Sequence, residues 1–233
     1  MPRTEFYESA VKHGFYGVDK SGLFGKKDNV RKYWEDVSIK MSIRPAIEQV
    51  LGCKDKIRIV DLGCGSGEGV ELLTHIPPTT PVKTVHKEFV ITEDAIELYK
   101  GVDISPAMVK QGKQNYASLP QVEFVQGDLS EGFPFMKDDP YDVYFSSYAS
   151  ESHLTFSELE QLTQQIFSHI DNRGYMVFDL YGRNSPEWPK YWNKDCHTTL
   201  PYTMAYLLPP QEQNPEKNEW LKEANAQSLQ QTL

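Results

Sequence analysis

The chain predicts an α/β protein: an open, doubly wound, mostly parallel sheet with helices on both faces, an N-terminal helical cap and an atypical C-terminal end of the sheet. Two observations carry this prediction. From Ile57 onward, short apolar runs bounded by turn residues recur, and helical stretches with explicit start signals separate them. Strands that alternate with helices within one sheet run parallel and are joined by crossovers.

Taken in order, "FYESAVKHGFYG" (6–17) reads as a short helix followed by a loop. Val30, Tyr33, Trp34, Val37 and Met41 then recur at helical spacing behind a cap at Asp28 or Asn29. Pro45 is expected to kink or interrupt that helix before Ile47, Val50 and Leu51. Strands are expected at 57–62, 99–104, 122–126, 141–147 and 174–180, with helices at 68–75, 106–117 and 157–170. Ser105 before Pro106 is an N-cap with proline at the first helical position, and "SELE" (157–160) reads as a capping box.

Residues 1–52 are expected to form the helical cap and 53–233 the main domain, as one globular unit with an insertion at 77–100. Within that insertion "KEFVI" reads as a strand and "EDAIELY" as a short helix. Toward the C-terminus only "PYTMAYLL" (201–208) reads as a strand, and "NEWLKEANAQSLQQTL" reads as a polar helix.

Composition narrows the function. The 233 residues are 39% hydrophobic and 24% charged, ordinary for a globular chain and enough for a substantial core. A net charge of −9 opposes general affinity for nucleic acid or anionic membrane; "GKKDNVRK" (25–32) is the one basic stretch and reads as a solvated helix start. No run approaches membrane-spanning length and no apolar leader with a cleavage pattern is seen, so a cytoplasmic monomer or homodimer is expected. Cys53, Cys64 and Cys196 have no metal-ligand spacing, and neither a disulfide framework nor a metal site is expected.

The chemistry concentrates in "VDLGCGSGEG" (60–69), where a buried strand ends on an acid and breaks into glycines. Gly63, Gly65 and Gly67 allow a sharp turn and let a ligand lie against bare backbone at the carboxyl edge of the sheet. Asp61 beside that turn would repel pyrophosphate and attract an ammonium or sulfonium. The dinucleotide fingerprint fails, because its third glycine falls on Glu68 or Val70, and no Gly-Lys-Ser/Thr closes a phosphate loop.

"VDLGCGSG" resembles the first motif of the class I S-adenosylmethionine-dependent methyltransferases. "GVDISPAMV", "QGDLSEGFPF" and "YDVYFSSYAS" resemble, in the same order, that family's ribose-binding, adenine-framing and methyl-facing segments. The resemblance covers 57–180 and implies S-adenosylmethionine as cofactor. It implies that Asp103 holds the ribose hydroxyls, that Ile104 and Met108 pack on the adenine, and that Gly127, Asp128 and Leu129 frame it. Ser146, Ser147 and Tyr148 would line the passage to the methyl acceptor.

Just past the fourth strand, His153 and Glu151 stand where a proton acceptor would sit. The Asn/Asp-Pro-Pro-Tyr/Phe segment typical of relatives that methylate nucleobases or protein amides is absent at "SSYA". The expected reaction is therefore methylation of an oxygen or nitrogen on a small molecule, in specialised metabolism. Aromatics at Phe6, Tyr7, Phe15, Tyr16, Tyr33, Trp34, Trp188, Tyr191 and Trp192 are candidates for a cap over the acceptor, and Lys40 or Arg44 for the methionine carboxylate. Two alternatives are a non-catalytic module that binds the same cofactor and an NAD(P)-dependent oxidoreductase.

Overall fold

The computed structural model describes Val11, residues 29–78 and residues 89–180. Five strands, β1 (Ile57–Leu62), β2 (Ile96–Asp103), β3 (Val122–Gln126), β4 (Val143–Ser146) and β5 (Tyr175–Phe178), form one parallel sheet. Their order is β3-β2-β1-β4-β5. The chain steps outward in one direction from β1 to β3, then returns to the other side of β1 for β4. That reversal opens a crevice at the carboxyl ends of β1 and β4, the place where such sheets bind ligands.

Both faces of β1 are buried, which explains why its residues are apolar apart from Arg58 and Asp61. Ile57 and Ile59 face a layer formed by α1 (Asn29–Leu51), α2 (Glu68–Thr74) and α3 (Pro106–Asn115). Val60 and Leu62 face α4 (Phe156–His169) through Leu162 and Ile166, with Phe133 and Phe135 beside them.

Helix α1 runs through Pro45 without the interruption that the sequence allowed. The ring costs the helix about 3 kcal/mol, but Ile43, Ala46 and Ile47 around it are buried in the core, and their burial at about 1.5–3 kcal/mol for each large side chain outweighs it. The capping box of α4 is also displaced. Thr155 receives the Glu158 amide at 3.4 Å, and the Glu158 carboxylate receives the Thr155 amide at 2.7 Å, while Ser157 already lies inside the helix. Ser105 caps α3 as expected, its hydroxyl accepting from the Met108 amide.

In the insertion, Glu93–Ala95 make a single 3-10 turn and Ile96 already belongs to β2, so "EDAIELY" is mostly strand. Its pairing explains this: Ile96 lies opposite Ile57 and Leu98 opposite Arg58. Phe89 and Val90 form a bend where a strand was expected, and residues 79–88 lie outside the described residues. The expected strand at 201–208 and the helix after it also lie outside them.

Candidate active site

Beyond Leu62 the chain enters the glycine turn, with Gly63 at φ 73°, Gly65 at 55° and Gly67 at 96°. All three lie in the left-handed region that side-chain-bearing residues adopt only at a cost. The turn is pinned to the end of β2. The Gly63 and Cys64 amides donate to the Val102 carbonyl at 2.8 and 2.9 Å, and the Gly65 amide donates to Asp103 Oδ2 at 3.0 Å. Beyond the turn, Glu68 accepts from both the amide and the hydroxyl of Ser66.

Asp103, the last residue of β2, stands at the crevice, half-buried. Its other oxygen accepts the Ser105 amide at 2.8 Å. Burial pushes its pKa up to about 6, against the pull of those two backbone hydrogen bonds. A carboxylate offers about four acceptor positions, so two backbone donors leave it able to receive two hydroxyls.

Asp61 lies beneath the turn, with no exposed surface. The Tyr99 hydroxyl donates to its Oδ2, while Oδ1 is buried without a partner. Burial is the main reason its pKa rises to about 8; the Tyr99 bond pulls it down, and Glu68 and Asp103 push it further up. Burial likewise raises the neighbouring Cys64 thiol.

Toward the adenine side, Ile104 is half-buried and Met108 is 1% exposed, inside the core. The Gly127 amide donates to the Asp103 carbonyl. Asp128 caps a 3-10 turn at Leu129–Glu131, its Oδ1 accepting the Ser130 amide and hydroxyl, and Leu129 packs partly into the second core.

On the β4 side, Ser146 and Ser147 are buried. Tyr148 and Ala149 both sit at φ 57°, so two consecutive residues with side chains occupy left-handed space. The chain then closes into a 3-10 turn, Ser150–His153, with Glu151 buried and His153 half-buried. The Ser150 hydroxyl lies 3.1 Å from both the Gly63 and the Ser147 carbonyls and joins the two loops. Arg44 Nη1 donates to the Pro77 carbonyl at 3.4 Å. Phe6, Tyr7, Phe15, Tyr16, Trp188, Tyr191 and Trp192 lie outside the described residues.

Sequence reasoning missed four participants: Tyr99, Glu68, Ser150 and Gly69. Gly69 had a signal, since it continues the alternation 63-65-67. A Cβ there would collide with the Asp61 carboxylate and meet Phe145 at 2.8 Å and the Tyr99 hydroxyl at 2.9 Å. Its bare Cα is what lets α2 settle onto the strands.

Fold and site together define an α/β protein with a parallel sheet and a glycine turn at the switch between β1 and β4. Among the described residues no group of three or more His, Cys, Asp or Glu is placed to hold a metal, and no helix is long and apolar enough to cross a membrane. Residues 53–227 match the family model described as a methyltransferase domain, and the chain belongs to that family, whose members are class I S-adenosylmethionine-dependent enzymes. Its cofactor is S-adenosylmethionine.

It is 26% identical over 142 residues to a trans-aconitate 2-methyltransferase of Klebsiella pneumoniae, covering 61% of this chain and 43% of that protein. It is 24% identical over 139 residues to a malonyl-[acyl-carrier protein] O-methyltransferase of Ilyobacter polytropus, covering 58% and 42%. The chain thus spans less than half the length of these curated relatives. Among solved structures, an S-adenosylmethionine-dependent methyltransferase from Clostridium acetobutylicum superposes with a TM-score of 0.49 at 16% identity, covering 76% of this chain and 58% of that one.

The residues present suit this cofactor. The left-handed glycines leave backbone bare at the crevice, Asp103 keeps acceptor capacity there, and the buried Asp61 keeps one oxygen without a partner.

Proposed function

We propose that this chain transfers a methyl group from S-adenosylmethionine to an oxygen or nitrogen of a small-molecule acceptor in specialised metabolism, as a cytoplasmic monomer or homodimer. The observation that carries the reading is the glycine turn held by Val102 and Asp103 at the switch between β1 and β4. The likeness to a trans-aconitate 2-methyltransferase supports a small acceptor.

When bound, the cofactor supplies a methyl group on a positively charged sulfur. Asp103 would hold the sugar, while Ile104, Gly127, Asp128 and Leu129 would border the base, backed by Met108 from the core. The turn from Gly63 to Gly67, with Asp61 beneath it, supports the charged end. Ser146, Ser147 and Tyr148 border the path of the acceptor. Such a displacement depends chiefly on alignment, so a rigid cleft does most of what is needed. His153 takes the acceptor proton where the acceptor carries one.

Calorimetry with S-adenosylhomocysteine and with NADH tests the reading. The wild type should bind the former and ignore the latter, and Asp103→Ala should abolish binding. Equal affinity in Asp103→Ala refutes the site. His153→Ala should lower kcat and leave cofactor affinity unchanged.

A further inference from the structure

We propose that Glu151 and Ser146 form the recognition site for the methyl acceptor and that this acceptor presents a protonatable amine. The proposal rests on the methyl-transfer reading above and narrows its acceptor from oxygen or nitrogen to nitrogen.

Each of the two side chains is 1% exposed, and neither the Ser146 hydroxyl nor either Glu151 carboxylate oxygen has a hydrogen-bond partner. The Ser146 hydroxyl and the Glu151 backbone amide are near enough to pull on the Glu151 proton equilibrium without reaching hydrogen-bond geometry. Three acceptor atoms are therefore unsatisfied within one small region. Buried polar atoms are nearly always satisfied, so an unsatisfied group in a native fold calls for a functional explanation. Once ionised, the Glu151 carboxylate can only accept, so a ligand that fits this form brings N–H or O–H donors.

The backbone is bent to put the carboxylate there. Ser146 ends β4, and the left-handed pair Tyr148 and Ala149 turns the chain so sharply that Glu151, five residues on, folds back toward Ser146. Strain of this kind concentrates at functional sites, where the surrounding structure holds it.

Position separates this site from the cofactor's sugar. Glu151 interacts electrostatically with Asp61, at the end of β1, and with Asp179, just past β5. Glu151 follows β4, which lies on the opposite side of β1 from β2 and Asp103 in the order β3-β2-β1-β4-β5. With the sugar held on the β2 side, the β4 and β5 side is left to the second substrate.

Charge then selects the substrate class. Asp61 and Asp179 lie within electrostatic reach of Glu151, so an anionic acceptor gains nothing from the three, whereas an amine favours their ionised forms. An amine gains from the same field and supplies the missing donors, whether it arrives protonated or neutral. Specificity is a difference in affinities, and repulsion of the wrong class contributes as much as attraction of the right one. The curated relatives named above are described by acidic substrates, so this chain would differ from them in acceptor class.

The test is ligand-observed NMR on the full chain loaded with S-adenosylhomocysteine. One library holds small primary and secondary amines; the other holds small carboxylic acids, trans-aconitate included. Amines should bind and acids should not. Glu151→Gln should weaken the best amine by at least about tenfold while S-adenosylhomocysteine affinity stays within about twofold, and Ser146→Ala should weaken the same amine.

Selective binding of acids, no binding of amines, or equal amine affinity in Glu151→Gln overturns the proposal. So does a loss of S-adenosylhomocysteine affinity in Glu151→Gln, because the carboxylate would then face the cofactor's own ammonium. The wild-type library result stands whether or not either variant folds. A wild type that fails to bind S-adenosylhomocysteine overturns the methyl-transfer reading itself; one that binds it and selects acids overturns only the acceptor class.

Discussion

The Tyr99 hydroxyl on β2 donates a hydrogen bond to the Asp61 carboxylate on β1, and both residues are fully buried under the glycine turn. With Oδ1 of Asp61 unpartnered, this phenol is the carboxyl group's single side-chain donor. Tyr99→Phe should therefore destabilise the protein by about 1–3 kcal/mol in urea unfolding, the cost of leaving a buried acceptor unsatisfied. In a cycle with Asp61→Asn the two changes should couple by roughly 0.5–3 kcal/mol, and simple additivity would show that the bond contributes nothing.

What the sequence revealed divides along the same line as this pair. Local patterns were legible: β1 and β3 fall on the predicted residues, and Ser105 with Pro106 marks the start of α3. Features decided by tertiary packing were not. Helix α1 survives Pro45 because its flanking side chains are buried, and β2 extends back to Ile96 because it pairs with Ile57. Tyr99 and Asp61 stand 38 positions apart, so their bond depends on strand register, which no local pattern encodes. The left-handed glycines 63, 65 and 67 were legible from their spacing, while the unsatisfied state of Glu151 appears only once burial is known.

Gly69 brings α2 against Asp61, Phe145 and Tyr99 of the sheet. An alanine there must displace the Asp61 carboxylate, the Phe145 ring or the Tyr99 hydroxyl, and two of these are large side chains fixed in the core. Overpacking of this kind costs about 1–3 kcal/mol. Gly69→Ala should lower the unfolding free energy measured in urea by that amount and weaken S-adenosylhomocysteine binding, because the helix carries the glycine turn with it. A stable variant with unchanged affinity would show that the helix can rise from the strands at no cost.

Asp103 has two tasks, positioning the turn through the Gly65 amide and binding the sugar. Asp103→Asn keeps one carbonyl acceptor and replaces the other oxygen with a donor that cannot receive an amide. Loss of one charge-assisted hydrogen bond is worth about 1.5–3 kcal/mol, so affinity for S-adenosylhomocysteine should fall by roughly 10- to 150-fold in calorimetry. Amide exchange at Gly65 should also quicken in the absence of ligand. Slowed binding with Gly65 still protected would assign Asp103 to the sugar alone.

The buried acids give stability and cofactor binding opposite responses to pH. Burial, the largest cause in each case, raises Asp61 and Glu151 to about 8 and Asp103 to about 6, from ordinary values of 3.8, 4.5 and 3.8. A carboxyl group whose pKa is higher in the folded state than in the unfolded chain binds protons more tightly when folded. Its contribution is complete below the unfolded value and is lost as pH rises through the folded value. The unliganded protein should thus gain thermal stability as pH falls from about 9 to about 6, and Glu151→Gln should flatten that dependence. At the alkaline end this variant should exceed the wild type by roughly 1–3 kcal/mol, because no unpaired charge remains to be buried. Cofactor affinity should run the other way, declining as pH drops through about 6, where Asp103 takes up the proton that blocks one of its acceptor positions. Scanning calorimetry of the free protein and titration calorimetry with S-adenosylhomocysteine across this range measure both slopes. Parallel slopes would mean that the carboxylates act only on the fold and that the sugar is held by other groups.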